Sequence, residues 1–435
     1  MNRNRRSLRS VVLSGLLLYT YLPACGQDLK FKREEAETIV DIVAADVTKH
    51  YYDPKLHGVA FDSKLHETKL KIHNAPSLNA AFANIAAMLD SLNDSHTYFL
   101  PPPRGFALDY GWRILAIDDR CFVLRVRPDT DAATKIHPGD EVLLINGYKP
   151  SRANLFRIEY VLDTLRPQSK IEVTVRSIAG EEHNFELLPK IFSGQLASPT
   201  LGDLTKIWEV QHKSIKLRWT SLNENVLFAK IPVFAFDQDD LDKLVSAARK
   251  HKSLILDLRG NPGGLQESMT AFTGAFFGRE VRIADAVRRD GTRPLTAKPN
   301  RHPFLGTLIV LVDSASNSGA ELFARVVQLE KRGVVLGDQT LGRAMEAYLH
   351  PHATAGMVFA TMITSADLIM ADGKSLEHTG VVPDQVILPT ADDIAKDRDP
   401  VLARAAELAG AKLSPEEAAK VVPHEWEQPI YVAGH

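Results

Sequence analysis

Apolar and polar residues follow different periods along successive stretches of this chain. In KREEAETIVDIVAADVTKHYY and NAAFANIAAMLDSLN the apolar residues recur at spacings of three and four, one face of a helix, so residues 26–105 are read as a helical region. That pattern stops at Asn93-Asp94-Ser95-His96-Thr97, and the PPPRG behind it breaks any regular element. Over 106–192 the segments shorten: WRILAI, FVLRVRP, KIEVTVRS and NFELLP predict short strands. Between them a short helix ends at Pro138-Gly139-Asp140 and precedes an apolar strand closed by Asn146-Gly147. Residues 193–225 carry neither period and are read as an extended linker. Over 226–395 strands (VLFAKIPVF, SLILDLRG, TLIVLVD, GVVLGD) alternate with helices (DDLDKLVSAARK, ELFARVVQLEKR), which predicts an α/β layer with a largely parallel sheet. Residues 396–435 are read as a helical tail.

The first 25 residues stand outside this pattern. Arg3, Arg5, Arg6 and Arg9, with no acid among them, precede VVLSGLLLYTYLPA, an apolar run short for a permanent membrane span. A basic start, a short apolar core and small residues near its end describe an export signal. Its close, Leu22-Pro23-Ala24-Cys25, resembles the lipobox of bacterial lipoproteins. Two outcomes stay open: acylation of Cys25, anchoring the chain to a membrane, or a plain cleaved signal. Either puts the product outside the cytoplasm, in the bacterial periplasm, on the cell envelope or secreted. Cys121 is the other cysteine, so no disulfide or Cys-rich metal framework is expected. The 52 Lys and Arg are scattered and the formal net charge is −2, which argues against a nucleic-acid partner.

Candidate chemistry gathers just past strand ends, where open α/β sheets place their sites. Asp257-Leu258-Arg259-Gly260-Asn261-Pro262-Gly263-Gly264 follows a buried strand, and glycines there let backbone amides approach a ligand. That suits an oxyanion hole, although a tight turn explains the same glycines. Asp313-Ser314-Ala315-Ser316-Asn317-Ser318-Gly319-Ala320-Glu321 joins a strand to a helix, so a hydroxyl there meets the unpaired amides of a helix N-terminus. Serine is also an ordinary helix cap. GDQTLGRAM at 337–345 and SLEHTGVVPD at 375–384 would each pass for turns alone.

Taken in order, DLRGNPGG, SASNSGAE, GDQTLGR and LEHTGVVPD resemble the C-terminal processing peptidases, or tail-specific proteases, over roughly residues 30–390. The stretch around Pro138-Gly139-Asp140 and Asn146-Gly147 resembles a PDZ domain, a module that takes an extended peptide, often its C-terminus, as an added strand. These resemblances imply an α/β peptidase core (ClpP/crotonase-like) with an inserted mostly-β PDZ domain and an N-terminal helical region. They imply a polypeptide or peptide substrate. In that family the nucleophile is the serine three positions before the glutamate, here Ser318, and Gly263, Gly264 and Gly319 become candidate oxyanion-hole donors.

The base departs from the family pattern. Where the processing peptidases carry the lysine of a Ser-Lys dyad, this chain has Arg343, and arginine cannot be deprotonated at useful pH. The tricorn core protease and its relatives, a second branch of the fold, use serine, histidine and glutamate. Ser95-His96, shortly upstream of the PDZ-like region, and Glu377 in SLEHTGVVPD match that placement. His96 would accept the Ser318 proton, with Glu377 and Ser95 orienting or polarising it. The rival reading is a non-catalytic binder of peptides or hydrophobic ligands, since the interphotoreceptor retinoid-binding proteins resemble the same core. The remaining histidines, including His350-Pro351-His352, fit no metal motif, and neither a Walker loop nor a dinucleotide fingerprint is present. The sequence therefore predicts no cofactor and no metal.

Overall fold

A computed structural model of the chain describes residues 25–193, 216–354, 357–422 and 426. Residues 1–24 of the expected export signal and residues 194–215 of the expected linker lie outside these. Among the described residues no helix is long and apolar enough to cross a membrane.

Three helices open the fold: α1 (Cys25–His50), α2 (Phe61–His73) and α3 (Leu78–Asp90), the last capped by the Ser77 side chain accepting from Ala80 N–H. Ile39, Val43 and Val47 on α1, Ile72 on α2 and Phe82, Ile85 and Leu89 on α3 share one buried cluster with Phe99, Phe359 and Ile363. The helical region is thus packed onto strands, and it supplies one of them, β1 (Tyr98–Leu100).

The ribbon β2 (Phe106–Asp109) later pairs with β8 (Lys190–Ser193), so the chain enters and leaves the intervening module side by side. That module is an antiparallel sheet of β3 (Trp112–Ile117), β4 (Arg120–Val126), β5 (Glu141–Ile145), β6 (Ile171–Arg176) and β7 (Glu182–Leu187) in chain order. Helix α4 (Leu155–Glu159), extended by a π-helical turn over Tyr160–Leu165, covers its core through Leu155 and Leu162.

The central layer runs in the order β18-β15-β14-β11-β10-β9, comprising β9 (Arg218–Ser221), β10 (Val226–Lys230), β11 (Ser253–Asp257), β14 (Thr307–Val312), β15 (Val334–Gly337) and β18 (Gln385–Val386). All its pairs are parallel except β9 with β10, as the alternation of strands and helices predicts. Residues 218–221, expected within the linker, instead form this edge strand. Leu254 and Leu256 face one core with α5 (Gln238–Ala248), α6 (Gln266–Gly274) and α7 (Gly319–Leu329). Ile255 faces the other, which is filled by Val401, Leu402, Ala405 and Ala406 beyond the short α8 (Ala391–Ala395), on α9 (Pro400–Ala409), with α10 (Pro415–Ala419) behind. Burial on both faces is why these strands read as continuous apolar runs.

A second sheet, wholly antiparallel, was not legible from periodicity. The long β17 (Met357–Met370) pairs with β1, with β12 (Val281–Arg288) and with β16 (Met345–Thr354), and β13 (Gly291–Ala297) closes the far edge.

Candidate active site

The parallel register aligns the ends of three strands, Asp257 with Leu311 and Val312 with Gly337, so DLRGNPGG, DSASNSGAE and GDQTLGR leave the sheet at one edge. Backbone and side-chain bonds lace the loops together. Asn317 N–H donates to Asn261 O (2.9 Å), Leu341 N–H to Ser316 O (3.1 Å), and Ser316 Oγ–H to Leu258 O (2.8 Å). The fully buried Asn261 donates from Nδ2 to Ile231 O (2.8 Å) and accepts from Gly263 N–H at Oδ1 (2.7 Å).

Ser318 is the N-cap of α7 and has φ 53° and ψ −119°, a conformation an L-residue holds only when its surroundings impose it. Its N–H donates to Arg343 O (2.8 Å) and to Glu321 Oε2 (3.0 Å). Glu321 is fully buried, and its carboxylate also accepts from Thr340 Oγ–H (2.5 Å), Gly342 N–H (2.7 Å) and Arg343 N–H (2.9 Å). Burial pushes this carboxyl up to about 7, against those donors, which favour the charged form. One side chain therefore ties α7 to the T-L-G-R loop. The spacing Ser318-x-x-Glu321 carries the signal of a capping carboxylate, so this role could have been read from sequence.

Gly263, expected to supply an oxyanion-hole amide, has its N–H committed to Asn261. What it contributes is space. At φ 94° a Cβ on it would lie 2.6 Å from Ser318 Cβ and 3.0 Å from both Ser318 Oγ and Gly319 N. The volume left open thus borders the hydroxyl and the Gly319 amide together. The N–H groups of Gly319 and Gly264 make no hydrogen bond among the described residues. Gly263→Ala is expected to push Ser318 out of line and lower kcat/KM by about 100-fold, the usual effect of an ångström of misplacement. Steady-state kinetics alongside circular dichroism checks this; unchanged kinetics would refute the steric role.

Residues 93–97 turn sharply between α3 and β1. Asn93 sits at φ 54°, and Asp94 Oδ1 accepts from His96 N–H (2.9 Å), Thr97 N–H (2.7 Å) and Thr364 Oγ–H (2.7 Å). Pairing of β1 with β17, Tyr98 opposite Met362, then fixes where His96 emerges. Ser95 Oγ lies 2.7 Å from His96 Nδ1 and donates to Glu377 Oε2 (2.9 Å), while Ser95 N–H donates to Glu377 Oε1 (2.7 Å). An ionised carboxylate only accepts, so the serine hydroxyl must donate to it and accept from Nδ1–H. That leaves the lone pair on His96 Nε2, the tautomer of a general base. Burial, then the Arg343 guanidinium, hold the His96 pKa down to about 3 against the opposing charge of Asp94. Burial also raises the Glu377 pKa, opposed by its Ser95 and Ala344 donors.

The Glu377–Ser95–His96 chain and Ser318 meet at Arg343-Ala344: Arg343 O accepts from Ser318 N–H, and Ala344 N–H donates to Glu377 Oε2 (3.0 Å). No hydrogen bond joins His96 to Ser318 in this arrangement. Arg343 also donates from Nη2 to Ser95 O, and its guanidinium stacks on Phe156 of α4, 3.4 Å from the ring centroid. Arg152 and Asp118 N–H hold the module to the core through Asp338 (2.6 and 3.0 Å). The residue in the lysine position is thus a clamp, a role the loop sequence did not announce. His378, the neighbour of Glu377, lies 3.8 Å from it and directs Nε2 to Asn93 O (2.9 Å).

A hydroxyl on a forced helix-capping backbone, with the Gly319 amide beside it, together with an imidazole tied through Ser95 to a carboxylate, is the equipment of acyl transfer. Residues 225–387 match the model of peptidase family S41. The chain is 24% identical over 271 residues to the tail-specific protease of Haemophilus influenzae, covering 58% of this chain and 36% of that one. It is 22% identical over 358 residues to carboxyl-terminal-processing peptidase 3, chloroplastic, of Arabidopsis thaliana, covering 78% and 66%. It thus spans less than two thirds of either relative. Among solved structures, mature CPAF superposes with a TM-score of 0.65 at 14% identity over 84% of this chain and 94% of that one. The photosystem II D1 C-terminal processing protease does so at 0.52 and 18%, over 81% and 93%. These likenesses establish a shared mixed α/β fold.

Proposed function

We propose that this chain is a serine peptidase that cleaves polypeptides outside the cytoplasm through an acyl-enzyme on Ser318. The observation that carries this reading is the Glu377–Ser95–His96 hydrogen-bond chain, which fixes the base tautomer of an imidazole in the absence of the family lysine. Ser318 Oγ attacks the scissile carbonyl as His96 Nε2 takes its proton, and the oxyanion falls to the amides of Gly319 and Gly264. The imidazolium returns the proton to the leaving amine, and water then repeats the sequence on the ester, releasing the acyl product. The absence of a direct His96–Ser318 bond is compatible with this, because catalytic hydrogen bonds often tighten only with substrate bound.

The module of residues 106–192 is read as PDZ-like, receiving substrate as an added strand. Extracytoplasmic location rests on the export signal in residues 1–25. A fluorophosphonate probe tests the core claim: the wild-type chain should be labelled, and Ser318→Ala should not. Absence of wild-type labelling would leave a non-catalytic binder on a peptidase scaffold, the reading that Arg343 motivates.

A further inference from the structure

The end of α1 meets the β16–β17 hairpin through side chains that the peptidase chemistry does not use. Asp46 and His50 lie four apart on α1 and so share a face. His350 and His352 lie two apart on β16 and so point to one side of the strand, whatever residue stands between them. Pro351 is tolerated because β16 is an edge strand, paired among the described residues with β17 alone. The fold brings both pairs together. One ligand-capable atom from each of Asp46, His50 and His350 lies within 4.8 Å of the others. The rings of His50 and His350 stack at 4.3 Å and 25°, and neither ring has a hydrogen-bond partner among the described residues. His352 Nε2 lies 2.7 Å from Asp46 Oδ2, while its own ring rests on Phe359 at 5.4 Å.

The geometry points to a binding site for a divalent transition-metal ion, with zinc as the best fit, held by Asp46, His50 and His350. Two imidazoles and one carboxylate are the donors of a borderline ion; calcium and magnesium take oxygen cages instead. Zinc–nitrogen and zinc–oxygen bonds of about 2.0–2.2 Å place tetrahedral ligands roughly 3.4 Å apart. The cluster therefore closes by about 1.4 Å at most, within reach of rotations of the half-buried His50 and His350 toward the buried Asp46. Three protein donors leave the fourth position to water. His352 is the outer partner that orients the ligating carboxylate, as metal sites commonly arrange. The ion would pin the last turn of α1 to the hairpin whose other strand carries β1, and behind β1 lies His96.

Tag-free full-length protein, stripped with a chelator, should bind one Zn²⁺ per chain by calorimetry and give Co²⁺ absorption bands typical of nitrogen–oxygen ligation. His50→Ala and His350→Ala should each weaken Zn²⁺ binding by more than 100-fold, and His352→Ala by about 10–100-fold. Zn²⁺ should raise the Tm of the wild type and leave that of the His50→Ala/His350→Ala double variant unmoved. Circular dichroism of the apo variants separates loss of ligands from loss of fold. No saturable Zn²⁺ binding by the wild type, or undiminished affinity in the folded double variant, would overturn the site.

Discussion

Replacing His96 with alanine is expected to lower turnover roughly a millionfold, about as much as replacing Ser318, because a nucleophile and its base act as one unit. Peptide hydrolysis by each single variant and by the double variant checks this, and the double should fall little further than either single. A His96→Ala protein that keeps wild-type turnover would place the base elsewhere. The pH profile gives a second reading of the same group. The imidazole must be neutral to accept the proton, and burial with the Arg343 charge holds its pKa down to about 3. As pH falls, protonation therefore begins well below the ordinary 6.5, so kcat/KM should stay level through pH 6 instead of dropping below 6.5.

The second large effect belongs to the relay. Ser95→Ala removes the acceptor of Nδ1–H and should cost on the order of 10²–10³ in kcat/KM. Glu377→Gln should cost more, roughly 10⁴, the loss seen when a catalytic imidazole is forced into the wrong tautomer. Oε1 accepts from Ser95 N–H, and Oε2 accepts from the Ser95 hydroxyl and Ala344 N–H. A glutamine must set its NH₂ against one of these donor groups. Turned toward Ser95 Oγ, it would make that hydroxyl donate to Nδ1 and move the imidazole proton to Nε2. Equal losses in the two variants would mean that the tautomer is not what Glu377 controls.

Much of the central layer was readable because its signals are local. Strands buried on both faces are unbroken apolar runs, and the loops beyond them carry glycine and serine at fixed intervals. The antiparallel sheet was not readable, since β12, β16 and β17 acquire their faces from partners far away in sequence. Segment 218–221 failed for a related reason: all four residues of RWTS are exposed, so the edge strand carries no apolar period. The relay residues stood out through their order along the chain, not through spacing, for Ser95 and Glu377 are 282 residues apart. No local signal in TLGR told of the stacking of Arg343 on Phe156, because that contact is made by a separately folded stretch. The Asp46–His50–His350 cluster carries no local signal, because α1 and β16 lie far apart in sequence and only the fold brings them together.

The backbone at Ser318 has one more implication. Left-handed backbone costs an L-residue about 1–2 kcal/mol, a cost that glycine escapes. At φ 53° and ψ −119°, the chain would be better off thermodynamically with glycine where the proposed nucleophile stands. Stability and activity therefore pull this one position in opposite directions. The glutamate behind it, gripping four donors from α7 and the T-L-G-R loop, is what holds serine in that backbone.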